Sequence, residues 1–397
     1  MNKALLSSLD VEGRRVFVRV DFNVPLSAGG AVSDDRRIRA SVPTIRAILD
    51  RGGSVVAASH LGRPKGKPSA EKSLAPCAPV LSSLLGREVT MAPDCAGAAT
   101  EALARGLKPG AVLLLENLRF HPGEEANEAA FAASLAGLAE RYVNDAFGSA
   151  HRAHASVAAI CGHFERPSAG LLMEKEIDYL SRLRGSPARP YMALLGGAKV
   201  SDKIELIESL LSKVDIILIG GAMAYTFLRA MGTPTGASLV EEEKVGMASQ
   251  LLERARAAGV EILLPVDHVV GDPASGAPAG VTAGAGIADG QAAFDIGPRT
   301  AEAFSAEAAK AATILWNGPL GRFEVKGYAT GTRRVAGAIA EATSKGALSV
   351  IGGGDSAAAV KVFGMEAGFS HISTGGGASL EFLSGRELPG VKALAAA

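Results

Sequence analysis

The stretch Leu348-Ser349-Val350-Ile351-Gly352-Gly353-Gly354-Asp355-Ser356 joins an apolar strand to three glycines, and the helical run Ala357–Phe363 follows it. A turn capped by Asp355 or Ser356 would account for part of this pattern. Three consecutive glycines exceed what a cap requires, because glycine lets the backbone approach a ligand closely. Backbone N–H groups at a helix N-terminus bind phosphate. We therefore favour a phosphate site here, with Asp355 as a ligand of Mg²⁺.

Three other apolar runs in the second half of the chain also end in glycine. They are Tyr191–Leu195 before Gly196-Gly197-Ala198-Lys199, Asp215–Ile219 before Gly220-Gly221, and Thr313–Trp316 before Asn317-Gly318-Pro319. Ligands of open α/β sheets bind at the carboxyl ends of the strands. This half is therefore expected to let its backbone come close to a large phosphate-bearing ligand.

Lys199 and Lys203 lie four residues apart, at the start of a helix predicted over Ser201–Val214. Solvated surface lysines and phosphate-binding lysines are both compatible with this spacing. Glu324 could accept hydrogen bonds from ribose hydroxyls, although an exposed glutamate is the commoner case. We expect Trp316 to lie in the core.

The first half ends its strands in cationic and amide side chains instead. The runs Arg15–Val20, Ser54–Ser59, Ala111–Glu116 and Arg141–Asn144 are followed by Asp21, Asn23, His60, Arg63, Asn117, Arg119, Asp145, His151 and Arg152. With Arg37, four arginines follow successive strands, and guanidinium groups match phosphate and carboxylate geometry. This half is predicted to hold a small anion, and two anion sites in one chain suggest a transfer between them.

Strands alternate with helices almost throughout, which predicts the α/β class with parallel sheets and right-handed crossovers. A length of 397 residues favours two domains. Lysine plus arginine equals aspartate plus glutamate at 41 each, so the basic excess of a nucleic-acid binder is absent.

Other classes lack their signatures. No stretch is long and apolar enough to span a bilayer, and no signal-peptide core develops after Met1-Asn2-Lys3, so a cytoplasmic protein is expected. Cys77, Cys95 and Cys161 are expected to be buried free thiols. There is no P-loop, no Ser–His–Asp constellation and no zinc spacing, and His121, His154, His163, His268 and His371 are expected to be structural.

The chain resembles the phosphoglycerate kinase family from end to end. The motifs that carry the resemblance are Arg19-Val20-Asp21-Phe22-Asn23-Val24-Pro25, Ser59-His60-Leu61-Gly62-Arg63-Pro64, Glu116-Asn117-Leu118-Arg119-Phe120, Asn144–Arg152, Gly196–Lys203, Trp316-Asn317-Gly318-Pro319, Gly352–Ser356 and Ser373–Ala378.

The resemblance implies two Rossmann-like three-layer (αβα) domains with parallel sheets, joined by a hinge helix. The implied boundaries are 1–170 for a 3-phosphoglycerate-binding domain, 171–186 for the interdomain helix and 187–372 for a nucleotide-binding domain. Residues 373–397 are expected to pack back on the first domain. The protein is expected to be a monomer that binds neither nucleic acid nor membrane.

The resemblance also assigns the site residues. Substrate binding falls to Asp21, Phe22, Asn23, Arg37, His60, Leu61, Gly62, Arg63, Arg119 and Arg152. Nucleotide binding falls to Lys199, Lys203, Gly220, Gly221, Asn317, Glu324, Gly352, Gly353, Gly354, Asp355 and Ser356, with Asp355 on Mg²⁺. Catalysis falls to Arg37, Lys199, Lys203, Gly354 and Gly377. Among Arg36, Arg37 and Arg39, the family pattern selects Arg37.

The implied reaction is reversible phosphoryl transfer between 1,3-bisphosphoglycerate and ADP, giving 3-phosphoglycerate and ATP. Ala222, Ala293 and Arg322 depart from the family pattern near the expected adenosine pocket. Two other classes of protein fit the residues less well. A nicotinamide dehydrogenase would need a GxGxxG turn that the chain lacks. A non-catalytic two-domain anion-binding protein would not need both the glycine run with Asp355 and the paired lysines.

Overall fold

The computed structural model describes residues 3–397, and its internal contacts divide the chain into two units. The first unit comprises Met1–Asp178 and Glu387–Ala397, and the second comprises Tyr179–Arg386. None of the helices in the described residues is long and apolar enough to cross a membrane.

The first unit is built on a six-stranded parallel sheet with the order β3-β4-β2-β1-β5-β6. Its strands are β1 (Arg15–Arg19), β2 (Ser54–Ala58), β3 (Val89–Met91), β4 (Val112–Leu114), β5 (Arg141–Asn144) and β6 (Ser168–Ala169). Its helices before the boundary are α1 (Arg36–Leu49), α2 (Cys77–Leu85), α3 (Ala98–Arg105), α4 (Pro122–Glu125) and α5 (Ala129–Ala136). The helix α6 (Leu171–Arg184) contains the boundary between the units.

A second six-stranded parallel sheet forms the other unit, with the order β15-β14-β13-β7-β8-β9, and a three-stranded antiparallel sheet, β11-β10-β12, accompanies it. The strands are β7 (Tyr191–Leu195), β8 (Ile216–Ile219), β9 (Glu261–Leu263), β10 (His268–Gly271), β11 (Pro278–Val281), β12 (Ala292–Ile296), β13 (Thr313–Asn317), β14 (Leu348–Gly352) and β15 (His371–Ile372). The helices are α7 (Ile204–Leu210), α8 (Met223–Ala230), α9 (Val245–Ala257), α10 (Pro298–Lys310), α11 (Thr330–Ser344), α12 (Gly354–Val362) and α13 (Gly377–Leu383).

The central strands of both parallel sheets are buried on both faces. Every residue of β2, β7 and β13 is buried, so successive side chains on opposite faces of these strands are all shielded from water. Buried parallel strands of this kind occur in α/β proteins whose two sheet faces are covered. The predicted fold class is confirmed, and Trp316 lies fully buried in the core of the second unit.

The C-terminal segment divides differently from the prediction. Residues 373–386 belong to the second unit, where α13 packs against α7 and Arg386 pairs with Glu205 at 2.7 Å. Only Glu387–Ala397, which contains α14 (Pro389–Lys392), returns to the first unit. There the N–H of Ala4 donates to the carbonyl of Ala395 at 2.9 Å.

Candidate active site

The carboxyl ends of β1 and β2 meet α1 at a polar corner of the first unit. Asp21 is buried, and its Oδ2 accepts from Arg37 Nη1 at 2.7 Å. The Oδ1 of Asn23 accepts from the N–H of Gly62 at 2.9 Å, which joins the loop after β1 to the loop after β2. Arg37 keeps 38% of its side chain exposed, so its guanidinium is held by Asp21 and still reachable by an anion.

Arg119 is a buried cation beside these loops. Its side chain is 2% exposed, its Nη1 donates to the carbonyl of Gly62 at 2.8 Å, and its Nε lies 3.5 Å from Glu125. Burial lowers the pKa of Arg119 to about 10, with Arg152 and Arg19 acting in the same direction and Glu125 opposing them. A buried arginine surrounded by other cations is stabilised when an anion binds next to it.

His60 lies in the same group and is neutral. Burial comes first in holding the pKa of His60 well below its usual range, and the nearby charges of Arg19, Arg119 and Arg152 add to this effect. The positive charge of the cluster therefore comes from its arginines. His60 can contribute a hydrogen bond without a charge.

The remaining substrate residues of the first unit differ in how they can act. The side chains of Phe22 and Leu61 pack in the hydrophobic core of the unit. Arg63 is exposed and makes no hydrogen bond to the described residues. Arg152 is half-buried, and its Nε donates to His151 Nε2 at 3.1 Å.

Glycines bring three strand ends of the second unit into backbone contact. The N–H of Gly197 donates to the carbonyl of Pro319 at 2.9 Å. A Cβ on Gly196 would lie 2.2 Å from the carbonyl oxygen of Pro319, and one on Gly221 would lie 2.6 Å from the nitrogen of Gly197. These glycines are needed because the loops after β7, β8 and β13 cross too closely for any side chain.

The glycine run after β14 leaves open space at a helix N-terminus. Gly353 has φ +89°, α12 begins at Gly354, and a Cβ on Gly354 would meet no atom within 4 Å. Next to the run, Asn317 Nδ2 is buried and has no hydrogen-bond acceptor among residues 3–397. A buried donor without a partner indicates a missing acceptor, and a phosphate oxygen would supply one.

The hydroxyl of Ser356 is occupied within the protein, since its oxygen accepts from the N–H of Gly318 at 2.6 Å. Its side chain is fully buried. The hydroxyl of Ser356 therefore ties the loop after β13 to the start of α12. Gly377 resembles Gly354 in beginning a helix, and a Cβ there would also meet nothing within 4 Å.

Both lysines lie before the first residue of the helix. The helix begins at Ile204 rather than Ser201, because Val200–Lys203 forms a turn. Lys203 is half-buried, and its Nζ donates to Asn317 Oδ1. Burial lowers the pKa of Lys203, while Asp202 and Asp355 act to raise it. Lys199 is exposed.

A cavity of about 500 Å³ lies beside these loops within the second unit. Its lining includes Gly197 and Asp355 together with the aromatic side chains of Tyr225 and Phe294. Glu324 contributes to the wall. The three positions that depart from the family pattern also line the cavity: Ala222, Ala293 and Arg322. Arg322 stacks on the Phe294 ring, with its guanidinium carbon 5.2 Å from the ring centroid.

The structure adds residues that sequence reasoning missed. Arg19 is fully buried and lies 3.1 Å from His60 through Nη2, and Ser156 and Glu124 are buried behind it. Burial, followed by the nearby charges of Arg119, Arg19 and Arg152, lowers the pKa of His154 to about 3, so His154 is a neutral side chain among these arginines. The available signal was the place of Arg19 inside the motif Arg19-Val20-Asp21.

One α/β unit contains buried arginines next to its strand ends, and the other contains a glycine-lined cavity that includes Asp355. This combination is expected of a two-unit phosphotransferase. A sequence model described as phosphoglycerate kinase matches residues 6–386. The chain therefore belongs to the phosphoglycerate kinase family.

Individual relatives extend this match over almost the whole chain. The phosphoglycerate kinase of Anaeromyxobacter sp. strain K is 54% identical over 391 residues, covering 98% of both chains. That of Chloroherpeton thalassium is 52% identical and covers 99% of both. The solved structure of phosphoglycerate kinase from Coxiella burnetii has a TM-score of 0.87 at 40% identity, and that from Pyrococcus horikoshii OT3 has 0.88 at 35%, each covering 98% of both chains.

Proposed function

We propose that the protein catalyses the reversible transfer of a phosphoryl group between 1,3-bisphosphoglycerate and ADP, giving 3-phosphoglycerate and ATP. Transfer to a carboxylate needs no general base, because the acceptor is already ionised near neutral pH. Positioning and charge neutralisation then supply the catalysis. We expect a monomer that works in the cytoplasm.

The first unit is assigned to the phosphoglycerate. Its phosphate and carboxylate would be held by Asp21, Asn23, Arg37, His60, Arg63, Arg119 and Arg152, with backbone contributions from Phe22, Leu61 and Gly62. The single observation that carries this assignment is the burial of Arg119 among other cations, where Glu125, which is partly exposed, is the one carboxylate of residues 3–397 that pairs with it. Such a site is electrostatically incomplete until an anion occupies it.

The second unit is assigned to the nucleotide. The apolar lining residues of the cavity, which include Phe294, would contact the base, and Glu324 would bind the ribose. Lys199, Lys203, Asn317 and the N–H groups of Gly352–Ser356 would bind the phosphates, and Gly220 and Gly221 would let the backbone come close. Lys199, Lys203, Gly354 and Gly377 would stabilise the transferring group together with Arg37.

The residues present fit a magnesium ion at Asp355. The carboxylate is exposed, lines the cavity and accepts no hydrogen bond from the described residues, and carboxylate oxygens are ligands that Mg²⁺ prefers. When bound with the nucleotide, the ion would neutralise charge on the phosphate oxygens. Asp355 would hold and orient that complex at the start of α12.

A coupled assay for ATP formed from ADP and 1,3-bisphosphoglycerate tests the proposal. We expect turnover that depends on both substrates and on added Mg²⁺. Binding of both ligands without ATP formation would instead support a non-catalytic anion-binding protein. The matched control is Lys310→Ala, which removes an exposed cation paired with Glu307 on α10, outside the residues assigned here, and should leave turnover unchanged.

A further inference from the structure

Arg19 is the last residue of β1 and is fully buried. Its guanidinium makes directed contacts on several sides. The Nε donates to Ser156 Oγ at 2.9 Å, Nη1 donates to the carbonyl of Val20, and Nη2 lies 3.1 Å from His60 Nδ1. The orientation of the guanidinium plane relative to the imidazole is therefore fixed by the protein itself.

A second buried layer holds Arg19 in place. The Oγ of Ser156 donates to Glu124 Oε1 at 2.6 Å, and the N–H of Ser156 donates to Oε2 at 2.9 Å. Because the single hydroxyl proton of Ser156 points to Glu124, its oxygen is left to accept from Arg19. Glu124 is fully buried, so its charge balances Arg19 across this serine.

The contact between Arg19 and His60 fixes where the histidine carries its proton. A guanidinium has only donors, so Nδ1 of His60 must be the accepting, unprotonated nitrogen. A neutral imidazole with a free Nδ1 carries its proton on Nε2. No atom of the described residues is a hydrogen-bond partner of Nε2, so this N–H is free to donate to a ligand.

We propose that Arg19 is a positioning residue, which holds His60 as the neutral Nε2-protonated tautomer so that Nε2 donates to an anionic oxygen of the phosphoglycerate. The proposal rests on the function assigned above. The groups that face His60 are cations or neutral donors from several elements: Arg19 on β1, Arg119 after β4, and Arg152 and His154 after β5. In such surroundings a second proton on the imidazole would be repelled, and a fixed tautomer supplies a donor instead.

Nitrogen NMR of the full chain tests the tautomer directly. In ¹⁵N-labelled protein near pH 7.5, the long-range ¹H–¹⁵N spectrum of His60, assigned by comparison with His60→Gln, should show an unprotonated Nδ1 and a protonated Nε2. The opposite pattern, or a doubly protonated ring, would overturn the proposal. This readout requires only the wild-type protein, so the proposal remains testable if a variant fails to fold.

Kinetics test whether Arg19 acts through His60. Arg19→Lys keeps the buried charge but cannot hold both Ser156 and His60 in the same plane. We expect the KM for 3-phosphoglycerate to rise roughly tenfold or more, the loss expected for one charge-assisted hydrogen bond. The KM for ATP should stay within about twofold, and the NMR signals of His60 should shift toward a mixture of tautomers.

A double-mutant cycle separates positioning from a general structural effect. In a His60→Gln background the donor no longer depends on Arg19, so adding Arg19→Lys should change the KM for 3-phosphoglycerate by less than about twofold. Equal effects in the two backgrounds would show that Arg19 acts elsewhere and would overturn the proposal. Arg15→Lys is the matched control, since Arg15 begins the same strand and pairs with Glu140 at 2.6 Å. Absence of turnover in the wild type would refute the assigned function, while the NMR result would still decide the tautomer.

Discussion

Arg36 and Arg37 are neighbours at the start of α1, yet their side chains have different partners. Arg36 pairs with Asp34 two residues before it, at 2.6 Å. Arg37 instead reaches Asp21 after β1, at 2.7 Å, and so joins the residues at the carboxyl end of the sheet. The ion pair with Asp34 therefore holds Arg36 away from Asp21, and Arg37 is the one of these two neighbours that reaches the site.

We expect Arg37→Ala to lower turnover by about 10²–10³ while the protein stays folded, since one preorganised donor to the transferring group is lost. The measurement is steady-state ATP formation, with circular dichroism to confirm the fold. Arg36→Ala is the matched control and should retain near-normal turnover. If Arg36→Ala were the damaging change, the assignment of the catalytic arginine would be wrong.

Asp355→Asn should weaken magnesium-dependent nucleotide binding by roughly tenfold or more, because a charged ligand of a divalent ion becomes neutral. Binding of 3-phosphoglycerate should change little, since its assigned residues belong to the other unit. Calorimetric titration of each ligand separately measures both effects. Equal loss of the two affinities would contradict the assignment of separate sites.

Individual side chains show where sequence reasoning reaches its limit. Arg119 and His60 could be predicted because they follow strands, where ligands of α/β proteins bind. Arg19 is inside an apolar run, so its position along the chain indicated only a strand residue. Its role depends on a hydrogen bond to Ser156, which is buried beside it but lies 137 residues away in the sequence. A local sequence pattern cannot predict a contact between residues so far apart.

At the scale of elements, buried aspartates link strand ends to helix N-termini. Asp145 follows β5, and its Oδ1 accepts from the N–H groups of Leu172 and Met173 at 2.9 and 3.2 Å, at the start of α6. A Cβ on Gly170 would lie 2.2 Å from that oxygen, which explains the glycine before the helix. In the second unit Asp295 accepts from the N–H of Gly331 at 2.8 Å, at the start of α11.

We expect the ionisation of Asp145 to lower the free energy of unfolding as the pH rises. Burial raises the pKa of Asp145 to about 7, although its hydrogen bonds oppose this. An unfolded aspartate has a pKa of about 3.9. The folded state therefore holds the proton more tightly, and stability present below about pH 4 is lost progressively as pH rises to about 7.

Asp145→Asn keeps the accepting oxygen and removes the ionisation. We expect the variant to lose less stability than the wild type between pH 5 and pH 8, by up to about 2–3 kcal/mol. Urea unfolding at both pH values measures this, with circular dichroism reporting both units and fluorescence of Trp316 reporting the second. Asp295→Asn is the matched variant in the second unit, because burial raises the pKa of Asp295 to about 7 as well. Its effect on the pH dependence should be seen in the unfolding of the second unit, which Trp316 reports. An unchanged pH profile for Asp145→Asn would contradict the linkage.

The strands and the glycine turns were largely predictable, whereas the helix starts were less so. The predicted strand Tyr191–Leu195 matches β7, because a short apolar run that ends in two glycines is typical of a buried strand. The helix predicted from Ser201 begins at Ile204, since the Ser201 hydroxyl and N–H bind Glu241 from a distant segment. Tertiary contacts decide such boundaries.

At the scale of the whole molecule, direct transfer of a phosphoryl group predicts a hinge motion. The residues assigned to phosphoglycerate and to nucleotide belong to different units, yet reacting atoms must come within roughly 3–3.5 Å of each other. Substrates must also enter, and water must be excluded from the transferring group. We therefore expect hinge closure, with α6 and the Ser373–Gly377 loop absorbing much of the change.

Small-angle scattering measures this closure. The radius of gyration should be smaller with both substrates bound than with either substrate alone, because only the ternary complex engages both units. Each single-ligand complex is the control for effects of binding itself. The same radius in all states would mean that the hinge role must be abandoned.

The first unit includes the segment Glu387–Ala397, in which Ala395 accepts from the N–H of Ala4, and Gly390 donates to the carbonyl of Ala150 at 2.8 Å. A ribosome makes the second unit, Tyr179–Arg386, before it makes the segment that closes the first. Domains generally fold as units during synthesis, with the N-terminal one first. Here the second unit can finish folding before Glu387–Ala397 is made, so we expect a nascent chain that lacks this segment to contain a folded second unit and an incomplete first unit.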